Sequence, residues 1–187
     1  MKLDIAHLMR PGTLTLAALP PLSVYVHLPW CLKKCPYCDF NSHEYRLPAT
    51  SASFMRVEAT PVALPEAAYL DAVCADIESS LPLVWGRPVH SVFIGGGTPS
   101  LFSPAGIARL ISDLRARLPL VPDCEITLEA NPGTFEKDRF HAYKMAGVTR
   151  LSVGVQSFND RHLKAIGRVH DGAQAMAAVQ EAAQAFD

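Results

Sequence analysis

The sequence has no apolar run approaching the ~18 residues of a membrane-spanning helix, so no integral membrane segment is predicted. Basic residues are nowhere concentrated, and the longest Lys/Arg tract is the pair Lys33–Lys34. With a formal net charge of −1, the chain lacks the basic excess of nucleic-acid-binding surfaces. Internal repeats and coiled-coil heptads are also absent. These absences predict a globular protein whose partners do not include nucleic acid.

The first residues carry no convincing secretion signal. Arg10, Pro11 and Gly12 interrupt their short apolar part, and no small-residue cleavage site follows. We interpret residues 1–21 as a flexible lead-in to a cytoplasmic protein. The chain has five cysteines, an odd number, and three of them are clustered. This usage argues against a secreted disulfide framework and favours metal or redox chemistry.

The sequence shows a regular alternation of strand and helix patterns. Hydrophobic residues make up 49% of the chain, which is enough for a sizeable core. Period-two and β-branched patterns predict strands over 23–29, 90–97, 124–130 and 150–157. Helical spacing of apolar residues and capping signals predict helices over 66–81, 103–118, 135–146, 160–166 and 172–186. The alternation predicts an α/β fold with a parallel sheet and right-handed crossovers.

The number of units sets an expectation about the extent of the domain. About four βα units are too few to close a barrel, and the sequence ends inside a helical pattern. We therefore expect residues 22–187 to form the N-terminal part of a longer core domain whose C-terminal region is absent. Residues 46–65 lack periodicity and contain three prolines, so they are predicted to form an inserted surface loop.

Each predicted strand has one aliphatic face and one more polar face. We expect the aliphatic faces, with Ile126 and Leu128 as examples, to meet the helices. The opposite faces then place Tyr25, Glu129 and Gln156 near strand C-terminal ends, the edge at which parallel α/β folds bind ligands. The alternative is that these polar strand ends are merely solvated.

The three clustered cysteines follow the first strand. Cys31, Cys35 and Cys38 have C-x3-C-x2-C spacing, which lets three soft thiolates converge on iron–sulfur or zinc. Zinc would need a fourth ligand, for which His27 and His43 are near enough in sequence. The two remaining cysteines fall on apolar positions and are predicted to be buried, inert thiols: Cys74 and Cys124.

A glycine run ends the second strand, in "FIGGGTPSLF" at 93–102. Glycine allows positive φ and a close approach of the backbone to a ligand, although a tight turn is the alternative. The stretch is not a phosphate-binding P-loop, because no Lys-Ser/Thr follows. It also lacks the G-x-G-x-x-G dinucleotide pattern.

The cysteine spacing, with an aromatic residue before the last cysteine, resembles the signature of the radical S-adenosylmethionine (SAM) superfamily. In that superfamily, a three-cysteine [4Fe–4S] cluster leaves one iron open for the amino and carboxylate groups of SAM. One electron from the reduced cluster cleaves the sulfonium C–S bond, giving methionine and a 5′-deoxyadenosyl radical. The glycine run is similar to the superfamily's GGE-type motif, whose backbone contacts the SAM amino group.

Four stretches narrow the resemblance: "YVHLPWCLKKCPYCDFNSH", "FIGGGTPSLF", "LEANPGT" and "GVTRLSVGVQSFND…LKAIGRVH". Together they resemble the family of oxygen-independent coproporphyrinogen III oxidase and its relative, the haem chaperone HemW. The resemblance implies a partial parallel (β/α) barrel of the radical SAM type. It implies that the cluster ligands are Cys31, Cys35 and Cys38. It implies SAM contacts at Tyr25, Tyr37, Gly96, Gly97, Thr98, Glu129, Gln156 and Arg168.

The residues after the last cysteine distinguish the two relatives. The oxidase pattern continues to a fourth cysteine, whereas this chain has Phe40 there and resembles HemW. That resemblance implies haem and haem-accepting proteins as partners, an electron donor for the cluster, and a role in haem or porphyrin metabolism. Haem is a further candidate cofactor, with His27, His43 and His170 considered for it. The alternatives are the porphyrinogen oxidase, an enzyme, and a non-catalytic zinc-binding module.

Overall fold

A four-stranded parallel sheet forms the centre of the computed structural model, which describes residues 17–45, 64–132 and 137–186. The sheet strands, in spatial order, are β1 (Leu22–Leu28), β4 (Val89–Gly96), β5 (Leu120–Ala130) and β6 (Arg150–Val153). Two short strands pair separately, β2 (Trp30–Cys31) and β3 (His43–Glu44). The helices are α1 (Glu66–Val84), α2 (Pro104–Arg117), α3 (Lys137–Met145), α4 (Asp160–Ala165) and α5 (Gly172–Ala185). The predicted α/β fold with a parallel sheet is confirmed.

Local sequence explains where several helices begin and end. α2 follows Ser103, whose Oγ accepts a hydrogen bond from the Gly106 N–H at 3.0 Å. α5 follows Asp171, which forms a reciprocal capping box with Gln174. α3 ends at Met145, and Gly147, two residues later, has a φ of +104° that prevents the helix from continuing. Short polar caps thus mark where α2 and α5 begin, and a glycine follows the end of α3, as the sequence predicts.

The core lies between the sheet and the helices. Ile126 and Leu128 of β5 are fully buried in it, as expected for the aliphatic face of that strand. Cys74 and Cys124 are also buried, and this burial raises the pKa of both thiols. Both cysteines therefore behave as the buried hydrophobic residues that were predicted.

Element boundaries differ from expectation in two places that matter for the site. β6 ends at Val153 rather than at 157, because the chain then turns and Gln156 adopts a φ of +65°. β5 begins at Leu120 rather than at 124, since Leu120 pairs with Val89 of β4.

Parts of the expected lead-in and inserted loop, 1–16 and 46–63, lie outside the described residues, as does the predicted start of α3 at 135–136. Within the described ranges, the helices fall short of the length and apolar character needed to cross a membrane.

Candidate metal and cofactor site

The carboxyl ends of the sheet strands border a cleft of about 310 Å³. Its walls come from the loop after β1, from the ends of β4, β5 and β6, and from the segment before α5. All the predicted site residues except Tyr25 line it: Cys31, Cys35, Tyr37, Cys38, Gly96, Gly97, Thr98, Glu129, Gln156 and Arg168. Residues spread over most of the chain are thus brought to one place.

The three cysteines occupy the loop between β1 and β3. Cys31 is buried in β2, while Cys35 and Cys38 are half-buried in the turn that follows. The Cys38 N–H donates to the Cys35 carbonyl at 3.0 Å, and the Tyr45 N–H donates to the Cys31 carbonyl at 2.9 Å. In the described part of the chain, no three His, Cys, Asp or Glu side chains converge to hold one metal ion. A cluster binds each thiolate through a different iron, and therefore needs three thiols around one cavity rather than around one point.

The glycine run lets the end of β4 lie directly against the backbone that precedes the cysteines. The Gly97 N–H donates to the Leu28 carbonyl at 2.8 Å, and the Thr98 N–H donates to the Trp30 carbonyl at 2.7 Å. A Cβ at Gly97 would lie only 2.6 Å from that Trp30 oxygen. Gly96 has a φ of +121°, a conformation that favours glycine. The run therefore serves close backbone approach as well as a turn.

Glu129 contributes a carboxylate near the end of β5. Its Oε2 accepts a hydrogen bond from the Gly96 N–H at 3.2 Å. Burial raises the pKa of Glu129, and the hydrogen bond from Gly96 offsets part of that rise. A half-buried carboxylate of this kind favours a ligand that brings a positive charge to it.

Arg168 joins three walls of the cleft. Its Nη1 donates to the Cys35 Sγ and to the Tyr37 hydroxyl, both at 3.4 Å. Its Nη2 donates to the Gly154 carbonyl at 2.8 Å and to the Asn131 Oδ1. The Nε of Arg168 is buried and has no hydrogen-bond partner among the described residues. A buried donor beside the cleft therefore stays open to an acceptor such as a ligand carboxylate.

Tyr25 lies beside the cleft rather than in its lining. Its ring stacks on Phe93 at a centroid distance of 6.2 Å, and its hydroxyl is 3.0 Å from the His27 Nδ1. A Cβ at Gly95 would lie 3.0 Å from both the Tyr25 ring and the Glu129 carboxylate, so both side chains share the predicted face. Burial and the nearby Glu129 raise the pKa of Tyr25. A direct contact between Tyr25 and SAM stays a prediction.

The histidines considered for haem have protein partners. His27 Nε2 is 2.7 Å from the Asn41 carbonyl, and His43 Nε2 is 3.1 Å from the Asn41 Oδ1. His170 is only 4% exposed, with its Nε2 3.0 Å from the Val155 carbonyl. Burial lowers the pKa of His170, which favours its neutral form.

Asn131 is a site residue that the sequence reasoning missed. Its Nδ2 donates to the Thr98 Oγ1 at 2.9 Å, and its Oδ1 accepts from Arg168. It also lines the cleft. Its position in the sequence could have indicated this role, because Asn131 lies two residues after Glu129 in "LEANPGT", at the end of a predicted strand.

The model of the Radical SAM superfamily matches residues 25–187. This chain belongs to the radical SAM superfamily. The family implies a [4Fe–4S] cluster and SAM as its cofactors.

Relatives within the radical SAM superfamily carry the same region. The chain is 47% identical over 162 residues to the heme chaperone HemW of Escherichia coli K12, covering 87% of this chain and 39% of that protein. It is 45% identical over 165 residues to the heme chaperone HemW of Haemophilus influenzae, covering 86% of this chain and 39% of that protein. The chain thus spans about two-fifths of the length of these curated relatives.

A solved radical SAM enzyme has a similar fold. Coproporphyrinogen III oxidase (HemN) from Escherichia coli matches with a TM-score of 0.72 and 32% identity, over 89% of this chain and 35% of that chain. This likeness confirms the partial parallel barrel of the radical SAM type.

The described residues fit the two groups that the radical SAM family implies. Three thiols line one cleft, which matches the donor set of a cluster with one open iron. The unpartnered Arg168 Nε and the Glu129 carboxylate offer opposite charges to a ligand with both amino and carboxylate groups. The Gly97 position leaves no room for a side chain between β4 and the cysteine loop.

Proposed function

We propose that this chain is the cluster- and SAM-binding part of a HemW-like haem chaperone. The observation that carries the proposal is the convergence of Cys31, Cys35 and Cys38 with the glycine run on one cleft. Phe40 supports the chaperone over the oxidase, because the oxidase pattern has a cysteine there. Phe40 also lines the cleft and is 62% exposed. The similarity to proteins named heme chaperone HemW points the same way.

In this proposal, Cys31, Cys35 and Cys38 would hold the [4Fe–4S] cluster. The chemistry that this cluster would supply is the donation of one electron to the sulfonium of SAM. The protein's own part is to place the thiols, to orient the ligand and to limit the access of water.

The cleft offers separate partners for the two ends of the SAM amino acid. The half-buried Glu129 carboxylate and the backbone at Gly96 and Gly97 suit the ammonium group. The Arg168 guanidinium, with its open Nε, suits the carboxylate. The remaining proposed contacts come from side chains along the cleft and beside it: Tyr37, Thr98, Gln156 and Tyr25.

The proposal for the whole protein extends beyond the cofactor site. It includes haem as a bound group, haem-accepting proteins and an electron donor as partners, and a cytoplasmic location. Haem and the haem-accepting partners rest on the similarity to HemW, of which this chain covers 39% in each of the two relatives compared. The electron donor and the location are predictions from the sequence and from the family resemblance.

Metal analysis after anaerobic reconstitution tests the cluster assignment. We expect about four iron and four sulfide per chain, with the broad visible absorption of a cluster. Cys35→Ala should abolish both. Cys74→Ala is the matched control, because Cys74 is buried in the core and lies outside the cleft lining, so its iron content should equal that of the wild type. Protein that stays free of iron and holds stoichiometric zinc would instead be the zinc-binding module.

The second candidate function is oxidative decarboxylation of coproporphyrinogen III, favoured by the structural likeness to HemN. Anaerobic assays with a reductant, SAM and coproporphyrinogen III separate the two functions. Formation of decarboxylated product identifies the oxidase. Haem binding without product, measured on the full-length protein, identifies the chaperone.

A further inference from the structure

The loop that carries the three cysteines has little regular structure. Its only strands in the described range are β2 and β3, which pair over two residues each. Within the turn, the Cys38 N–H bonds to Cys35 and the Ser42 N–H donates to the Phe40 carbonyl at 2.7 Å. The pairing of β2 with β3 joins the two ends of the loop, through the His43 N–H to the Pro29 carbonyl at 2.8 Å and the Tyr45 N–H to the Cys31 carbonyl at 2.9 Å. Side-chain contacts add to this pairing inside the loop, around Cys35 and Cys38.

Lys34 adds a further connection inside the loop, from a position next to Cys35. Its Nζ donates to the Phe40 carbonyl at 3.1 Å and to the Ser42 carbonyl at 3.2 Å. Its backbone N–H donates to the Glu44 Oε1 at 3.0 Å. Hydrogen bonds from a charged ammonium are stronger than those between neutral groups. One residue therefore fastens both the middle and the far end of the cysteine loop.

The neighbouring Lys33 provides an internal comparison. It carries the same charge and, unlike Lys34, lines the cleft. Within the ranges described, however, its side chain makes no hydrogen bond or ion pair. The two lysines thus differ in geometry and not in charge, so a loss of charge alone can be separated from a loss of the bonds inside the loop.

We propose that Lys34 is a positioning residue, whose ammonium braces the inside of the cysteine loop and holds Cys35 and Cys38 toward the cleft before a cluster binds. This inference rests on the proposed function, because it takes the cysteines as cluster ligands. A loop that is ordered in advance loses less conformational entropy when its ligands engage the cluster. Groups that orient metal ligands in this way typically change metal affinity by roughly 10–100-fold.

The test compares the full chain with the variants Lys34→Gln, Lys34→Arg and Lys33→Gln. In the apoprotein, hydrogen exchange is measured over residues 31–45; in the reconstituted protein, cluster release to an iron chelator is timed. We expect Lys34→Gln to exchange faster across the loop and to lose its cluster about tenfold faster or more. In the apoprotein, Lys33→Gln should exchange across the loop within about twofold of the wild type, because it breaks none of the loop bonds. Lys34→Arg should recover part of the protection, since it keeps a positively charged donor next to the two carbonyls.

Equal apoprotein exchange for Lys34→Gln and Lys33→Gln would overturn the role of Lys34, as would an Arg variant that behaves like the Gln variant. Exchange in β4 and β5, measured in the same samples, verifies that each variant is folded. A wild-type chain that takes up no iron overturns the proposed function instead. The apoprotein exchange then still distinguishes the two lysines.

Discussion

At the scale of single residues, Glu129 is a site carboxylate whose burial lowers the stability of the folded apoprotein when the group is ionised. Its carboxylate is half-buried, and burial raises its pKa, with the Gly96 hydrogen bond offsetting only part of the effect. The folded protein therefore holds this proton more tightly than the unfolded chain does. By linkage, the contribution of Glu129 to stability is fully present below its unfolded pKa and is lost as pH rises through its folded pKa.

Replacing Glu129 by Gln should accordingly stabilise the apoprotein at neutral pH. The amide can still accept from Gly96, and it carries no charge that must be buried. We expect the melting temperature to rise by about 2 °C at neutral pH and to match that of the wild type near pH 4, where the carboxyl group is protonated. Calorimetry across this pH range measures the effect. The same variant should bind SAM more weakly once the cluster is in place.

Glu125→Gln is the matched control for this prediction. Glu125 lies on the same strand, but its side chain is exposed and paired with Arg150 at 3.2 Å. Its neutralisation should leave the melting temperature at neutral pH unchanged or slightly lower. If Glu129→Gln behaves like Glu125→Gln at every pH, burial does not control the ionisation of Glu129.

At the scale of elements, the end of β4 positions the cysteine loop by contact between backbones. A chain needs glycine either where a Cβ would clash with a neighbour or where φ is positive. Gly97 is an example of the first case and Gly86 of the second. Gly97 has no positive φ, but its Cβ position lies within 2.7 Å of the carbonyl oxygens of both Pro29 and Trp30. Gly86 has a φ of +71° and nothing within 4 Å of its Cβ position.

Gly97→Ala should therefore be the more damaging of the two substitutions. Two fixed carbonyl groups would have to move, at a cost of about 3 kcal/mol, whereas Gly86→Ala should cost about 1 kcal/mol of backbone strain. Chemical denaturation of the apoproteins measures both changes in the free energy of unfolding. Only Gly97→Ala should also impair cluster reconstitution, because it displaces the loop. Equal losses in both assays would show that β4 does not position the cysteines.

The elements themselves were largely predictable, because strand and helix patterns are local properties of the sequence. The ends of β5 and β6 were not, since Leu120 depends on its pairing with Val89, and β6 stops before a turn in which Gln156, although not a glycine, takes a φ of +65°. The same distinction applies to the site. The cysteine triad is a local spacing, whereas the contact between Arg168 and Cys35 joins residues 133 positions apart, and no local pattern predicts it.

At the scale of the whole molecule, Arg168 is the point at which distant parts of the chain meet. Its guanidinium bonds to the cysteine loop at Cys35 and Tyr37, to the end of β5 at Asn131, and to Gly154 after β6. Such a planar, multiply donating group cannot be replaced by an ammonium with the same charge. The cleft should therefore depend on the shape of this side chain as well as on its charge.

We expect Arg168→Lys to lower the free energy of unfolding of the apoprotein by roughly 2 kcal/mol, because partly buried acceptors lose their partner while the charge is kept. Hydrogen exchange should increase together in the cysteine loop and at the end of β5, since one side chain links them. Arg161→Lys is the matched control, because Arg161 is exposed on α4 and its side chain has no hydrogen bond or ion pair among the described residues. Should Arg168→Lys and Arg161→Lys unfold at the same denaturant concentration, the walls of the cleft are held independently of Arg168.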